Sequence, residues 1–208
     1  MCAPSSVGAF PHQPSLGARP VHCPPDRGPI RISGSSWPDE RAPYEGRREG
    51  SMRFTTYDHL PDQTRRVRER VFVDEQGFHD EFDDIDQLSW HLLAFAGTDE
   101  AIAASRFFPS GPVGEPLSQG RTGPAGTYTI GRVAVERAWR GHHVGAAVLR
   151  ATEEAIVRLG GHRAILHAQE QAEGFYRKQG YEVCGERGLD EGCPHVWMGK
   201  DLPAVAAG

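Results

Sequence analysis

The fold is decided by residues 133–155, which read VAVERAWRGHHVGAAVLRATEEA. The stretch opens with the apolar alternation of a β-strand and closes with the periodicity of a helix. In the helix, Val144, Val148, Ala151 and Ala155 recur at steps of four, three and four, which places them on one face. The sequence therefore predicts a strand that passes into a helix through a short glycine-containing turn, with no proline and no long loop.

The turn between these two elements reads Arg-Gly-His-His-Val-Gly over residues 140–145. A strand that turns directly into a helix leaves free backbone N–H groups at the helix start, and the helix dipole reinforces them. Such a turn is suited to phosphate. Gly141 and Gly145 allow close backbone approach and Arg140 adds a cation, so we expect a ligand with a diphosphate. The patterns of a nucleotide P-loop and of a dinucleotide fingerprint are absent, and an ordinary strand-to-helix turn is the alternative.

The composition narrows the class of protein. The chain has 208 residues, 38% hydrophobic and 25% charged, with a formal net charge of −5. This suits one globular domain plus an appendage and argues against general nucleic-acid binding. No apolar run approaches the ~18 residues of a membrane span, and the start lacks a secretory pattern. The spacing of the four cysteines, Cys2, Cys23, Cys184 and Cys193, does not match a disulfide framework. Together with His195 they do not make a complete zinc motif either. We therefore expect reduced thiols, no metal and a cytoplasmic location.

Residues 1–51 differ in composition from the rest of the chain. They contain nine of the 16 prolines and show neither a helix period nor a strand period. Such a segment cannot bury enough apolar surface to offset the entropy of ordering, so we expect it to be disordered. Residues 52–208 form the predicted folded domain. Met52 opens a clean alternation, which leaves open a translation start at Met52 or a regulatory tail ahead of it.

From Met52 onward the pattern predicts an α/β fold. Val67 and Val71, four residues apart, indicate a helix that Asp62 can cap. Residues 77–89 form an acidic loop, and residues 109–127, rich in glycine and proline, form a long loop of the kind that often lies over a functional site. The predicted helices are 61–76, 143–159 (with Leu159 on the apolar face) and 170–179, and the predicted strands are 53–57, 90–96, 101–108, 128–135, 163–168, 181–184 and 195–200.

Two segments carry a family resemblance. They are RVAVERAWRGHHVGAAVL over 132–149 and AILHAQEQAEGFYRKQGY over 164–181. Together they resemble the acetyl-CoA-binding core of the GNAT family of N-acetyltransferases. The family's turn pattern is Gln/Arg-x-x-Gly-x-Gly/Ala, and this chain departs from it at His143, where the family has glycine. The segment RERVFVDEQGFHDEFDDIDQLSWHLLAF over 68–95 and the ending HVWMGKDL over 195–202 resemble the ElaA-like branch.

The resemblance implies a GNAT fold, which is a mixed central sheet of about seven strands flanked by helices. Two adjacent parallel strands, those ending near Val135 and Ala168, would splay and form the cleft for acetyl-CoA, the co-substrate. Backbone groups of Val133, Ala134 and Val135 would hold the thioester and the pantetheine arm. The pyrophosphate would be held by the turn residues Arg140, Gly141, His142, His143, Val144, Gly145 and Ala146.

The resemblance also implies a general acid. The family places a tyrosine in a Phe-Tyr-x-x-x-Gly-Tyr/Phe segment, matched here by Phe175, Tyr176, Gly180 and Tyr181. Tyr176 would protonate the CoA thiolate as the amine displaces it. The alternative for Tyr176 is a tyrosine packed against the sheet with its hydroxyl paired.

The general base is open among Glu75, His167 and His91. An amine with a pKa near ~10 is mostly protonated at neutral pH and must lose a proton before it attacks. Glu75 ends the first predicted helix beside the acidic loop, His167 lies on a strand lining the predicted cleft, and His91 begins a strand. The alternatives are a solvated carboxylate for Glu75 and structural histidines for the other two.

The leading functional hypothesis is an acetyl-CoA-dependent N-acetyltransferase. A primary amine of a small molecule or peptide would attack acetyl-CoA directly and receive the acetyl group. An acyl-homoserine lactone synthase-like acyltransferase and a non-catalytic acyl-CoA-binding sensor are the alternatives. The expected partner is the amine substrate, with neither nucleic acid nor membrane, and a homodimer is left open. Asp83, Asp84 and Asp86 of the acidic loop could attract a cationic substrate, although such loops are usually only solvated.

Overall fold

The computed structural model describes residues 30–31, 52–97, 99–111, 114–117, 126–190 and 192–203. A six-residue π-helix, Glu69–Asp74, continues the first helix, and short 3-10 turns precede the third and fourth. The helices are α1 (Asp62–Arg68), α2 (Ile85–Leu88), α3 (Val144–Arg158) and α4 (Glu173–Lys178). The strands are β1 (Ile30–Arg31), β2 (Met52–Tyr57), β3 (Trp90–Ala96), β4 (Ala101–Pro109), β5 (Thr127–Val135), β6 (Arg163–Gln169), β7 (Glu182–Asp190) and β8 (Cys193–Asp201).

These strands form one mixed sheet in the order β1-β2-β3-β4-β5-β6-β8-β7. Within the described residues β5 and β6 run parallel, and every other neighbouring pair runs antiparallel. The seven strands from β2 to β8 confirm the predicted mixed sheet of about seven strands. The last two strands are longer than predicted, and β8 lies between β6 and β7.

The segment 1–51 contributes two described residues to the fold. Ile30 and Arg31 pair antiparallel with Thr56 and Thr55 of β2, so this pair is a strand where we expected disorder. The remainder of the segment lies outside the described residues, so its disorder and the domain boundary stay predictions. No described helix is long and apolar enough to cross a membrane.

β5 and β6 separate part-way along their length. Their pairing runs from Thr127 opposite Arg163 to Thr129 opposite Ile165 and then stops, although both strands continue. The cause lies in β5, which has one extra residue relative to β4 between Gly131 and Ala134. Arg132 in this bulge has a φ of 51°. Because a bulge bends its strand and increases the local twist, β5 turns away from β6 and the predicted cleft opens between them.

The predicted apolar face of α3 packs against the sheet. Val144, Val148, Ala151 and Ala155 are all buried in the main core, where α3 lies against β4 and β5. Leu159 is 39% exposed and follows the last residue of α3, so its assignment to this face was wrong. The core on this side of the sheet fixes where the helix begins, and hence where the turn before it lies.

The first predicted helix is divided in two. α1 ends at Arg68 and the chain continues as a π-helix. Asp62 is the first helical residue and Pro61 is the N-cap, with no side-chain hydrogen bond, so the predicted capping role of Asp62 is wrong. Val67 and Val71 nevertheless share a face and are buried against β3 and β4 in a second core. This core occupies the opposite side of the sheet from α3.

Candidate functional site

Two cavities meet where β5 and β6 have separated. The turn cavity has a volume of about 550 Å³ and is lined by residues 139–141 and 143–146 with α4. The strand cavity has a volume of about 260 Å³ and lies between residues 130–133 of β5 and 166–169 of β6. The residues that line both cavities are Gln76, Val133, Ala172 and Tyr176. A ligand that fills one cavity therefore meets a ligand in the other beside these side chains.

The turn before α3 presents backbone donors that have no main-chain partner among the described residues. The first main-chain hydrogen bond of α3 runs from the Ala147 N–H to the His143 carbonyl at 3.0 Å, so the N–H groups of residues 144–146 have no partner within the helix. Gly141 and His143 have φ of 79° and 58°, in the left-handed region. That region favours glycine, which accounts for the family preference at the position of His143.

Most of the residues assigned to the cofactor by resemblance line the turn cavity. Ala134 is fully buried on the opposite face of β5, beside Val67 and Val71. His142 is exposed on the turn and does not line the cavity. The residues that do line it are Val133, Val135, Arg140, Gly141, His143, Val144, Gly145 and Ala146. A backbone role for Ala134 and His142 stays a prediction.

Tyr176 lies on α4 at the junction of the two cavities. Its ring packs edge-to-face against Phe175 and Tyr181, with centroid distances of 5.0 and 6.0 Å. Within the described part of the chain its hydroxyl forms no hydrogen bond. Burial raises the pKa of Tyr176 to about 12. The phenol therefore stays protonated at neutral pH and is free to donate a hydrogen bond into either cavity.

His167 lies half-buried on β6 and lines the strand cavity. Its ring stacks on Trp197 with a centroid distance of 4.7 Å and lies 4.8 Å from the ring of His195. Burial, then the neighbouring His195, lowers the pKa of His167, against the opposing effect of Asp190. His167 is therefore neutral at pH 7 and can accept a proton.

Trp197 is held tightly between two glycines. A methyl group at Gly114, in the loop after β4, would lie 2.2 Å from the indole Cη2, and one at Gly185 of β7 would lie 2.8 Å from the Trp197 Cβ. His195 is held as well, since its Nδ1 donates to the Cys193 carbonyl at 2.8 Å. These contacts fix the surface on which His167 stacks.

Glu75 follows the π-helix and is paired with Arg140. Arg140 Nη1 and Nη2 donate to the two carboxylate oxygens at 2.5 and 2.8 Å, and its Nε donates to the Val135 carbonyl at 3.0 Å. The hydrogen bond from Arg140 lowers the pKa of Glu75. Glu75 lines neither cavity. A carboxylate held in this way is poorly suited to accept a proton from a substrate.

His91 is a buried residue of β3 and lines neither cavity. Its Nε2 lies 3.1 Å from the Asp86 carbonyl and donates to it. Burial lowers the pKa of His91 to about 4. This histidine therefore supports the fold, and a direct part in the chemistry would require it to leave the core.

Comparison with known proteins decides the family. A model described as an acetyltransferase (GNAT) domain matches residues 114–202. A Bacillus subtilis protein described as the uncharacterized N-acetyltransferase YjcF is 33% identical over 138 residues, which cover 65% of this chain and 88% of the relative. The chain belongs to the GNAT family of N-acetyltransferases. Escherichia coli ElaA is 29% identical to this acetyltransferase over 141 residues, covering 66% and 84% of the two chains.

Solved structures agree with the fold of this acetyltransferase. An acyl-CoA N-acyltransferase from Pseudomonas aeruginosa superposes with a TM-score of 0.57 and 26% identity, covering 72% of this chain and 99% of its own. Escherichia coli ElaA superposes with a TM-score of 0.57 and 24% identity over 74% and 99% of the chains. A CoA-dependent acyl-homoserine lactone synthase, at a TM-score of 0.56 and 19% identity, shares the fold alone. The chain is thus an acyltransferase by family and by architecture.

The acidic loop of the acetyltransferase is folded around a buried arginine. Arg68 of α1 is fully buried. Its Nε donates to Glu81 Oε1 at 2.5 Å, its Nη1 donates to Asp86 Oδ1 at 2.6 Å, and its Nη2 donates to the Glu81 carbonyl at 2.6 Å. Because a buried charge is costly unless it is paired, this contact ties the loop to α1.

Two more arginines complete this ion network. Arg106 of β4 donates to both oxygens of Asp83, at 2.5 and 2.9 Å, and to Asp86 at 3.0 Å. Arg132, at the bulge of β5, pairs with Glu81 Oε2 at 2.9 Å. The network connects the loop to the strand that forms one wall of the cleft, so the loop positions the bulge.

The ion network engages two aspartates of the acidic loop, Asp83 and Asp86. Burial opposes ionisation of Asp86, but the two arginines beside it outweigh burial and lower its pKa to about 2. Burial dominates at Glu81 and raises its pKa. Two of the three predicted substrate-attracting aspartates, Asp83 and Asp86, are therefore neutralised internally, while Asp84 is exposed and lines neither cavity.

Several residues of the site escaped the sequence prediction. Gln76, Arg132 and Asp190 line the strand cavity, and Trp197 supports His167. The alternation of β8 could have placed His195 and Trp197 on one face. Asp190 had no local signal, because the predicted strand stopped six residues earlier, at residue 184.

Proposed function

We propose that this chain is an acetyl-CoA-dependent N-acetyltransferase that acts on a primary amine of a small molecule or peptide by direct attack. The observation that carries the proposal is the position of Tyr176, which lines both cavities and keeps a protonated hydroxyl without a partner among the described residues. A group at this junction contacts the donor in one cavity and the acceptor in the other.

The turn cavity suits the pyrophosphate and pantetheine of acetyl-CoA. Free N–H groups at the start of α3 favour an anion, and the left-handed backbone at Gly141 and His143 turns the chain around it. Arg140 lines the same cavity, where its pairing with Glu75 holds the guanidinium in place. Among the described residues β5 and β6 do not pair beyond Thr129, which offers backbone groups of β5 to an extended pantetheine arm.

Acetyl-CoA supplies an acetyl group that is activated for transfer by its thioester bond to sulfur. His167 accepts the proton that the acceptor ammonium loses, directly or through water, which leaves a neutral nitrogen to attack the thioester carbonyl. As the new C–N bond forms, the attacking nitrogen loses its second proton to water, and as the C–S bond breaks, Tyr176 donates its hydrogen bond and then its proton to the departing sulfur. Since the pKa of Tyr176 exceeds the ~8.5 of an ordinary thiol, the hydrogen bond carries most of the stabilisation. The tyrosine recovers its proton from water.

His167 is a better base than Glu75 in this arrangement. A base works best when its pKa is near the operating pH and its accepting atom reaches the substrate. His167 lines the acceptor side of the junction and is neutral at pH 7. Glu75 has a lowered pKa and both oxygens bound to Arg140.

Two measurements on the full chain test this function. Calorimetry with CoA measures binding, and detection of free thiol with acetyl-CoA and a panel of primary amines measures transfer. The proposal expects CoA binding and amine-dependent thiol release. Binding with no thiol release above background for any amine would reject the enzyme and favour an acyl-CoA sensor. Acyl-homoserine lactones in extracts of producing cells would favour the synthase alternative.

A further inference from the structure

We propose that the preferred acceptor carries a second, non-reacting cationic group, and that Asp190 recognises this group at the solvent side of the strand cavity. The inference rests on the proposed function, because it takes the strand cavity as the acceptor site. It assigns the acceptor a chemical class, namely amines with an additional ammonium or guanidinium group.

The position of Asp190 follows from the strand register. Asp190 ends β7 opposite Cys193 of β8, and Gly188 lies opposite His195. Because side chains alternate along a strand, Asp190 and His195 are on the same face of the sheet. Both line the strand cavity together with His167. Asp190 is exposed and His167 is half-buried, so the aspartate lies at the solvent side.

The other formal charges that line the strand cavity neutralise each other. Glu81 accepts from Arg68 at 2.5 Å and pairs with Arg132 at 2.9 Å. Arg132 is the cation of the cavity lining, and its pairing with Glu81 occupies it. A ligand would have to break this network to use either charge.

Asp190 is different, since within the described residues it has neither a hydrogen bond nor an ion pair. The nearby cation of β7, Arg187, is bound to Glu170 and Glu173 at 2.7 and 2.9 Å. His167 is neutral at pH 7 and does not cancel the charge of Asp190. The uncompensated formal charge of the cavity lining is therefore negative, and it lies at the solvent side.

This charge fits a second cationic group better than the reacting amine. The reacting nitrogen must be neutral when it attacks, and it must lie beside Tyr176 at the junction of the cavities. A carboxylate at the solvent side contributes little electrostatic stabilisation to a neutral nitrogen at this junction. The lining of the strand cavity also includes the apolar side chains of Phe72, Phe78 and Leu166, which can contact a short hydrocarbon spacer. A negatively charged tail at the same place would be repelled by Asp190.

The test compares three matched acceptors at saturating acetyl-CoA: a linear alkyl diamine, the monoamine of equal length and the ω-amino acid of equal length. We expect kcat/KM to fall in that order, with a step of about two- to five-fold between diamine and monoamine, the range of an exposed ion pair. Asp190→Asn should remove most of the difference between diamine and ω-amino acid. The preference should shrink in high salt, because salt screens exposed charges.

Asp84→Asn is the matched control, since it removes one exposed carboxylate of the acidic loop that lines neither cavity. It should keep the wild-type ranking. Equal kcat/KM for the three amines, or a ranking unchanged by Asp190→Asn, would overturn the inference while leaving the acetyltransferase in place.

Binding of the diamine provides a second readout. Thermal shift with CoA present should show stabilisation of the wild type by the diamine, and a smaller shift for Asp190→Asn. Diamine binding that depends on Asp190 without thiol release would reject the proposed transfer and keep the cation site. No diamine-induced shift together with no turnover of any amine would reject both.

Discussion

Glu75 and Arg140 form a bidentate ion pair between the end of the π-helix and the turn before α3. The two N···O distances are 2.5 and 2.8 Å, and the residues are 65 positions apart in the chain. The pair holds the guanidinium at the rim of the turn cavity, because the planar fork of arginine matches a carboxylate in one orientation. We therefore expect Glu75 to position Arg140 and to be a poor general base.

Glu75→Gln should therefore slow transfer only modestly, by less than about tenfold, and should leave the acidic limb of the kcat–pH profile in place. The reason is that a general base contributes about a hundredfold or more, which the engaged carboxylate cannot supply. Steady-state kinetics from pH 5 to 9 measures both quantities. Loss of the acidic limb in Glu75→Gln would restore Glu75 as the base.

Tyr176→Phe should slow acetyl transfer by roughly ten- to a thousandfold while CoA still binds, because only the donor at the leaving sulfur is removed. Free-thiol kinetics and calorimetry separate the two effects. Tyr128→Phe is the control, since Tyr128 is a buried core tyrosine that lines neither cavity. Unchanged turnover in Tyr176→Phe would rule out the general acid role.

His167→Gln should remove the acidic limb of the kcat–pH profile. Since the pKa of His167 is lowered, the wild-type limb should lie below the ordinary value of 6.5, with activity falling as His167 becomes protonated. The variant should recover partly at high pH, where more of the amine has already lost its proton. His59→Gln, an exposed histidine beside Asp58, is the control. A limb that persists in His167→Gln would point to another base.

Gly145→Glu should weaken CoA binding by at least about tenfold. A Cβ at Gly145 would already lie 3.4 Å from Phe175 Cζ, and the added carboxylate would enter the cavity that we assign to the pyrophosphate. Gly188→Glu introduces the same side chain into open space on β7 and should bind CoA as the wild type does. Calorimetry measures the CoA affinity of each variant. If Gly145→Glu bound CoA as tightly as the wild type does, CoA would not bind at the turn.

The stability of the folded state should depend on His91 between pH 6.5 and 4. The pKa of His91 is lowered from 6.5 to about 4 in the folded chain. The unfolded chain therefore takes up a proton in this window while the folded chain does not, so stability decreases as the pH falls, by roughly 2–3 kcal/mol for this group. His91→Gln should flatten this part of the curve in denaturant titrations. An unchanged slope would show that His91 titrates normally.

Local pattern was sufficient for the elements nearest the turn. The apolar positions of α3 and the alternation in β5 predicted both elements to within about a residue at most ends, because burial on one face imposes a period on the sequence itself. The same reasoning missed the π-helix after Arg68, since the 61–76 segment carries an ordinary helical period. Asp62 likewise looked like a cap, although the helix begins one residue earlier than that role requires.

By itself the sequence determined the strand–turn–helix unit and the order of most elements, and through the family resemblance it predicted Tyr176 and the cofactor residues. The tertiary structure decided the state of the charged groups. It paired Glu75 with Arg140 and Asp86 with Arg68, and it left Asp190 without a hydrogen bond or ion pair among the described residues. These outcomes depend on which distant strands become neighbours, as β8 does between β6 and β7. Local periodicity reports which face of an element is buried, whereas the pKa and the pairing of a side chain depend on what the rest of the chain brings against it.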